Sequence, residues 1–225
     1  MLAYLARSKR IVAIIIAVFS ISIWWHSRAC AQEAAGTISS LVGTATLHRG
    51  GSRPVVVGMA VHTGDRIKVG AGSKVTIALS DGSKLEAGAS STVVIDEELL
   101  GTGDAHGSTR VGLLSGFLRA VVKHTSSGAL PNFEVHTPNA VAAARGTDFE
   151  VDFIEGKPCP VNPSCMVYTT VGVYRGVVEV TNPTSPAGAP GARATAGYQT
   201  NVPCAIPPTA PGPWGVEELG APGYH

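Results

Sequence analysis

From Thr37 onward the chain alternates apolar and polar residues in short runs, each closed by Gly, Pro, Asn, Asp or Ser. A period of two marks a strand with one buried face, so the pattern predicts many short strands. The candidates are 44–48, 54–57, 66–69, 74–79, 84–87, 92–96, 117–123, 133–137, 148–154, 166–173, 177–181 and 198–202. The clearest piece is 74–87. There Val75, Ile77 and Leu79 alternate with polar or small residues, Ser80-Asp81-Gly82-Ser83 reverses the chain, and Leu85 and Ala87 continue the apolar side. Asp-Gly supplies the positive φ of a primed hairpin turn, so a hairpin is predicted here. A second hairpin joins 150–154 to 166–173. Val167, Thr169, Val171 and Val173 share one face of it, with Val151 and Phe153 placed to oppose them.

One run carries two periods. Leu113, Leu114, Phe117, Leu118, Val121 and Val122 recur at helical spacing, yet Gly112 and Gly116 interrupt the run and Val121-Val122 is a β-branched pair. The stretch 117–123 is therefore read as a strand, and helices are allowed only as short pieces at 96–100 or 140–144. Residues 182–196, made largely of Pro, Gly, Ala, Ser and Thr, read as a loop. After Val202 come Pro203, Pro207, Pro208, Pro211 and Pro213. Proline fixes φ and removes a donor, so 203–225 is expected to form an extended or disordered tail outside any ladder, with docking of Trp214 onto the body as the alternative.

Composition agrees with an all-β chain. Charged residues are 15%, with 27 Gly and 15 Pro, which disfavours coiled coils and helix bundles. At 44% hydrophobic the chain has enough material for a core. The formal net charge of +1 excludes the strongly basic footprint of a nucleic-acid binder.

The first residues speak to compartment. Arg7, Lys9 and Arg10 precede an apolar run over 11–25, shorter than the roughly 20 residues of a spanning helix and suited to a signal-peptide core. Ala29-Cys30-Ala31 then offers small residues to signal peptidase. Cleavage is predicted between Ala31 and Gln32, which makes 1–31 a signal peptide and the remainder a periplasmic or secreted chain without a stable membrane span. An uncleaved anchor, with about ten residues in the cytoplasm, is the alternative. Residues 1–31 hold four Lys/Arg and no acid, so 13 basic and 16 acidic residues remain beyond them, a net charge of about −3. Export also implies an oxidising compartment. Of the cysteines left, Cys159 and Cys165 bracket a Pro-rich loop. A bridge between them, worth about 2 kcal/mol in the chain-entropy model, is predicted, with Cys204 free or paired between chains. No His lies close to this cluster in sequence, and no metal site is expected there.

The ordered segments Thr63-Gly64-Asp65-Arg66-Ile67-Lys68-Val69-Gly70, Leu79-Ser80-Asp81-Gly82-Ser83, Thr137-Pro138-Asn139-Ala140 and Arg145-Gly146-Thr147-Asp148-Phe149-Glu150-Val151 resemble the FecR domain, as do Val173-Tyr174-Arg175-Gly176-Val177-Val178-Glu179-Val180 and Ala196-Gly197. The resemblance spans about 36–202. It implies an all-β periplasmic domain of short strands and hairpins in an elongated, twisted or solenoid-like arrangement. The archetype of the family this chain resembles is a transmembrane regulator that relays an outer-membrane iron-uptake signal to a sigma factor. Such a regulator carries a helical cytoplasmic region, which the ten residues before Ile11 do not supply, so the expectation is the envelope-exposed half alone. The family-motif residues Asp81, Gly82, Thr137, Pro138, Arg145, Gly146, Thr147 and Phe149 are expected to be structural. Pro138 holds Thr137 extended, Gly146 supplies a tight turn, and the Arg145 fork suits unpaired carbonyls at a chain reversal; an anion or partner carboxylate is its other reading.

No catalytic constellation stands out. Gly112-Leu113-Leu114-Ser115-Gly116 has its serine one place late for a nucleophile elbow. Gly70-Ala71-Gly72-Ser73-Lys74 lacks phosphate-loop spacing. His48, His62, His106, His124 and His136 are scattered. Asp148, Glu150 and Asp152 share one face of a strand, read as a solvated acidic face with weak cation binding as the sharper alternative. Neither enzyme activity nor a cofactor is expected. Two functions stay open: an envelope interaction or signal-sensing module that receives a protein partner, and a cell-wall or polysaccharide-binding module, which would need Tyr168 and Tyr174 in one exposed platform. A membrane-anchored regulator of sigma-factor signalling is the third.

Overall fold

The computed structural model describes residues 34–98, 109–123 and 133–214; the predicted signal peptide, His106, His124 and the end of the tail lie outside them. The described residues form strands and turns with no helix. The strands make two ladders. The front ladder runs β4 (Ala60–Val61), β1 (Gly36–Val42), β6 (Lys74–Leu79), β7 (Lys84–Ala87), β9 (Thr109–Val121), β12 (Asp148–Glu155), β13 (Val167–Arg175), β16 (Tyr198–Val202), β17 (Gly212–Pro213). The back ladder runs β3 (Ser52–Pro54), β2 (Ala45–His48), β5 (Arg66–Val69), β8 (Thr92–Glu98), β9 again, β10 (Phe133–His136), β11 (Val141–Ala144), β14 (Val177–Thr181), β15 (Ala192–Thr195). Pairing is antiparallel except between β9 and β10, and neither ladder closes on itself. The all-β expectation is met.

The ladders face each other across one apolar core, filled by the alternate residues of each strand. Ile38, Val75, Ile77, Leu85, Leu118, Phe149, Val151 and Val171 come from the front; Leu47, Ile67, Val93, Ile95, Val111, Phe133, Val135 and Val180 come from the back. Phe133 and Phe149 meet edge-on across the layers, ring centroids 6.5 Å apart.

β9 belongs to both ladders, and its crossing explains the double period in its sequence. Val111 and Leu113 are buried in the back half and Leu118 and Ala120 in the front half, so the inward parity flips from odd to even. Gly116, at φ 77°, is where it flips. A Cβ there would lie 2.6 Å from Ser91 Oγ, the atom that accepts from Phe117 N at 2.9 Å and donates to Phe117 O at 2.9 Å. The phase slip mimics helical spacing in a chain that stays extended.

Several expectations are corrected. Only Gly82 of the Asp81-Gly82 pair has positive φ, at 85°. The β6–β7 connection is therefore a four-residue loop, closed by Gly82 N–H to Leu79 O at 3.1 Å and Leu79 N–H to Ser83 O at 2.9 Å, not a primed two-residue turn. Residues 141–144 are strand β11 and 96–98 end β8, so neither helix forms there; Ala142 and Ala144 are small enough to bury on alternate positions. The 54–57 strand is instead the three-residue β3, and the 182–196 loop contains β15.

The tail and the disulfide also differ. Residues 203–214 fold back along β16: Thr209 N–H donates to Asn201 O at 2.9 Å, and β17 pairs Pro213 with Tyr198. Proline is tolerated because β17 is an edge strand, which needs no donor on its outer side. This return places Cys204 against Cys165, and these two form the disulfide, Cα–Cα 5.9 Å, while Cys159 is a buried thiol. The predicted Cys159–Cys165 bridge is not formed. Backbone bonds close that loop instead, from Cys159 N to Cys165 O at 2.8 Å and from Cys165 N to Asn162 O at 2.9 Å.

Candidate functional site

The motif residues divide between two places. Thr137 and Asn139, at the β10–β11 turn, are buried in a polar knot. Thr137 Oγ1 lies 2.8 Å from Thr169 Oγ1 and accepts from Ala140 N at 2.9 Å; Asn139 Nδ2 donates to Val202 O at 2.6 Å. The knot ties β10–β11 to β13 and β16, and Pro138 sits exposed above it. Buried polar groups with full partners fix strand register, which is a structural role.

Asp81, Gly82, Gly146 and Thr147 converge elsewhere, on the exit of β9. Asp81 holds its own turn, accepting from Ser83 N at 2.7 Å and from Ser83 Oγ at 3.0 Å. Ser83 Oγ accepts from Lys123 N at 3.1 Å, and Thr147 O accepts from Val122 N at 2.7 Å. Two motif turns thus clamp one strand end from both sides. Arg145 is half-buried at the second turn, and Phe149 lies in the core. Between the turns opens a cleft of about 550 Å³ lined by Gly82, Lys84, Val121, Val122, Lys123, Gly146 and Arg175.

Next to the cleft, the outward face of the front ladder carries a charge network that the sequence pattern did not reveal. Arg119 donates from Nε and Nη2 to the two carboxylate oxygens of Asp148, each at 2.9 Å. Its guanidinium also lies 4.3 Å from the centre of the Tyr174 ring. Tyr174 Oη donates to Glu150 Oε2 at 2.6 Å, and Trp214 of the returning tail packs edge-on against the Tyr174 ring at 4.4 Å. Glu150, 3% exposed, has its pKa raised by burial, partly offset by the Tyr174 hydroxyl. Burial lifts Asp152 further, to about 6, with Lys157 opposing. Asp148, Glu150 and Asp152 do share one face, but it is a covered one and not the solvated surface expected. Tyr168 and Tyr174 also share a face of β13. Tyr168 is buried beside the cysteines, whereas Tyr174, between Arg119 and Trp214, stays 38% exposed, so the two form no shared exposed platform.

A second ion pair, with a buried acid and an arginine at the surface, was equally hidden in sequence. Asp65, fully buried, takes both donors of Arg49 and the backbone N–H of His62 at 2.8 Å. Burial alone would raise its pKa, but these bonds outweigh it and hold Asp65 below the usual carboxylate range. Of the histidines, His48 is exposed on β2 and His136 pairs with Glu134 at 2.6 Å. Among the described residues no three His, Cys, Asp or Glu gather as metal ligands.

Such an arrangement defines a class: a two-ladder β module whose buried charges are engaged in holding strands and whose signature turns frame an exposed cleft. The model of the FecR protein family matches residues 65–179, and the chain belongs to that family. Two solved structures of a candidate anti-sigma factor from Parabacteroides distasonis share the fold at 18% identity, with TM-scores of 0.52 and 0.51. The match covers 68% of this chain and 62% of the length of the Parabacteroides protein. No curated protein matches the sequence.

Proposed function

We propose that this chain is an exported, non-catalytic FecR-type signalling module that works by receiving another protein in the bacterial envelope. Family membership supports a role in signalling, and so does the anti-sigma assignment of its structural neighbours. The observation that carries the contact reading is the state of the ladder ends. The front ladder finishes at β17, where Pro213 blocks further pairing, but its other end is open. β1 is flanked by β4 only at Gly36 and Thr37, and beyond Ile38 no strand lies on its outer side among the described residues. Val42, Val56 and Val57 are exposed by 54–61% in the same region, where Val55 N bonds Ala45 O and Gly58 N bonds Ile38 O. An unpaired edge beside exposed valines suits addition of a strand from a partner. The back ladder ends likewise in β15.

The test is site-specific photocrosslinking in cells from Ser40 and Val57, with Thr181 on the back face as control. It is combined with fractionation and N-terminal sequencing. A discrete adduct from the edge positions only, on a periplasmic chain starting at Gln32, is the expected result. A chain retaining Met1 in the inner membrane would favour the anchored regulator of sigma-factor signalling. No adduct from either edge position would overturn the contact reading.

A further inference from the structure

We propose that the cleft between the β6–β7 turn and the ends of β9 and β13 is a binding site for an extended acidic segment of a partner protein, its carboxylates set on Lys84, Lys123 and Arg175. The inference rests on the reading that the module receives a protein, and adds where and by what chemistry. Three cations line this one cleft, all exposed: Lys84 at the start of β7, Lys123 just past the end of β9 and Arg175 at the end of β13. None of the ion pairs formed among the described residues involves them. Acids close by in the fold are already engaged: Asp148 by both donors of Arg119, Asp81 by Ser83 and Glu86 by Lys74. In a chain of almost balanced charge, three uncompensated cations around one depression call for an external counter-charge.

Geometry selects the kind of anion. Lys84, Val121, Asp148 and Arg175 stand in one cross-strand row. Three strand spacings of about 4.8 Å put the two outer cations roughly 14 Å apart at the backbone. A single phosphate would need both long side chains to turn inward to meet it. An extended peptide, which places same-side residues about every 6.8 Å, brings carboxylates at alternate positions to both ends, with one between them for Lys123. The floor is suited to a backbone: Gly82 and Gly146 present no side chain, and the half-buried Val121 supplies apolar contact. A Cβ on Gly82 would stand 2.9 Å from Lys123 Cδ, so this glycine lets the lysine lie back along the turn and leaves the middle open.

The probe is a fluorescent peptide alternating Glu with Val, titrated against the full chain, with the Gln-for-Glu peptide as its neutral twin. The Lys84→Ala/Lys123→Ala/Arg175→Ala variant, checked for unchanged melting, is expected to bind the acidic peptide at least tenfold more weakly. The neutral peptide should fail to bind, and Arg66→Ala/Lys68→Ala on the back face should bind as wild type. Equal affinity in the cleft variant overturns the proposal, and so does an equal loss in the back-face variant. Anionic phosphatidylglycerol vesicles that bind through the cleft, and that the peptide cannot displace, overturn it in favour of a membrane surface. The two readings separate in cells. An edge adduct whose partner is retained undiminished by the cleft variant removes this proposal alone. Absence of any adduct, with peptide binding intact, removes only the edge reading.

Discussion

The two outward faces of this protein are built from the same alternating pattern and end in opposite states. On the back, every second residue of β5, β14 and β15 meets water: Arg66, Lys68, Glu179 and Arg193 are all exposed. On the front, the centre of the equivalent face of β12 and β13 is shut in, with Glu150 at 3% and Tyr168 and Thr170 at 7% exposure, while Tyr174 at its end keeps 38%. The cover comes from far along the chain. The Cys159–Cys165 loop lies over Tyr168, Asn201 takes the Thr170 hydroxyl at 2.9 Å, and Trp214 packs against the edge of the network at Tyr174. Alternation reports which side chains point away from the core. Whether anything lies on top is decided by whether a later segment returns, and that changes the energetics of each charge beneath it. Exposed ions are screened and contribute little, whereas covered ones must be paired or shift their pKa.

If the cover makes the difference, removing what pins it should have the largest effect. The Cys165–Cys204 bridge has a sequence separation of 39. The chain-entropy model assigns such a loop about 4 kcal/mol. Cys165→Ser/Cys204→Ser is expected to lower the melting temperature on the order of 10 °C. Cys159→Ala should cost no more than about 1 kcal/mol, and peptide mapping should link Cys165 to Cys204. Three Trp are present, at 24, 25 and 214, so a chain processed after Ala31 keeps Trp214 as its sole indole. Its emission should shift to the red in the double variant. An unshifted spectrum would mean the tail stays docked without its bridge.

A smaller effect is expected from within the covered face. Arg119→Ala strips Asp148 of its bidentate partner and Tyr174 of the cation on its ring, leaving Glu150 buried beside two acids. A loss of about 2 kcal/mol in urea unfolding is expected, more than an exposed pair would give. A loss under about 0.5 kcal/mol would place this network with ordinary surface charge and erase the contrast between the faces.

Much of the scaffold could be read from residues near one another in sequence. The Val75–Ala87 hairpin and the opposition of Val151 and Phe153 to Val171 and Thr169 follow from alternation and turn chemistry, because strand register is set locally. The motif turns could also be located, though not the cleft they frame, since Lys84, Lys123 and Arg175 are spread over more than ninety residues and meet only through ladder order. Arg119 and Asp148 are likewise partners across β9 and β12, and no local pattern announces that pairing. The partner of Cys204 is hidden for a related reason. Spacing favours the short Cys159–Cys165 loop, and the prolines hide the fold-back that brings Cys204 to Cys165. The helical-looking run over 113–122 is rightly read as a strand from Phe117 on, and its double period arises because a strand changing ladders at Gly116 shifts its own phase.

The finest test of the two faces is a single proton. Asp152 stands opposite Phe117 on one side and Thr170 on the other, and burial raises its pKa to about 6, with Lys157 the opposing charge. An unfolded aspartate titrates near 3.9. Between these values the folded chain holds the proton more tightly than the unfolded one, so this group's contribution to stability falls as pH rises from about 4 to 6 and stays lost above. Glu150 works in the same direction. Asp65 works in the other, its stabilisation being lost as pH falls from about 4 through its depressed pKa, so the two effects occupy separate windows. Asp152→Asn should therefore raise stability at pH 7 by about 1 kcal/mol, the full shift being discounted for partial exposure, and should flatten the pH 4–6 slope of the melting temperature. Glu179→Gln on the open face should move neither quantity. A wild-type slope that survives Asp152→Asn would mean water reaches this carboxylate after all, and that the cover over β12 and β13 is looser than the packing of Trp214 on Tyr174 implies.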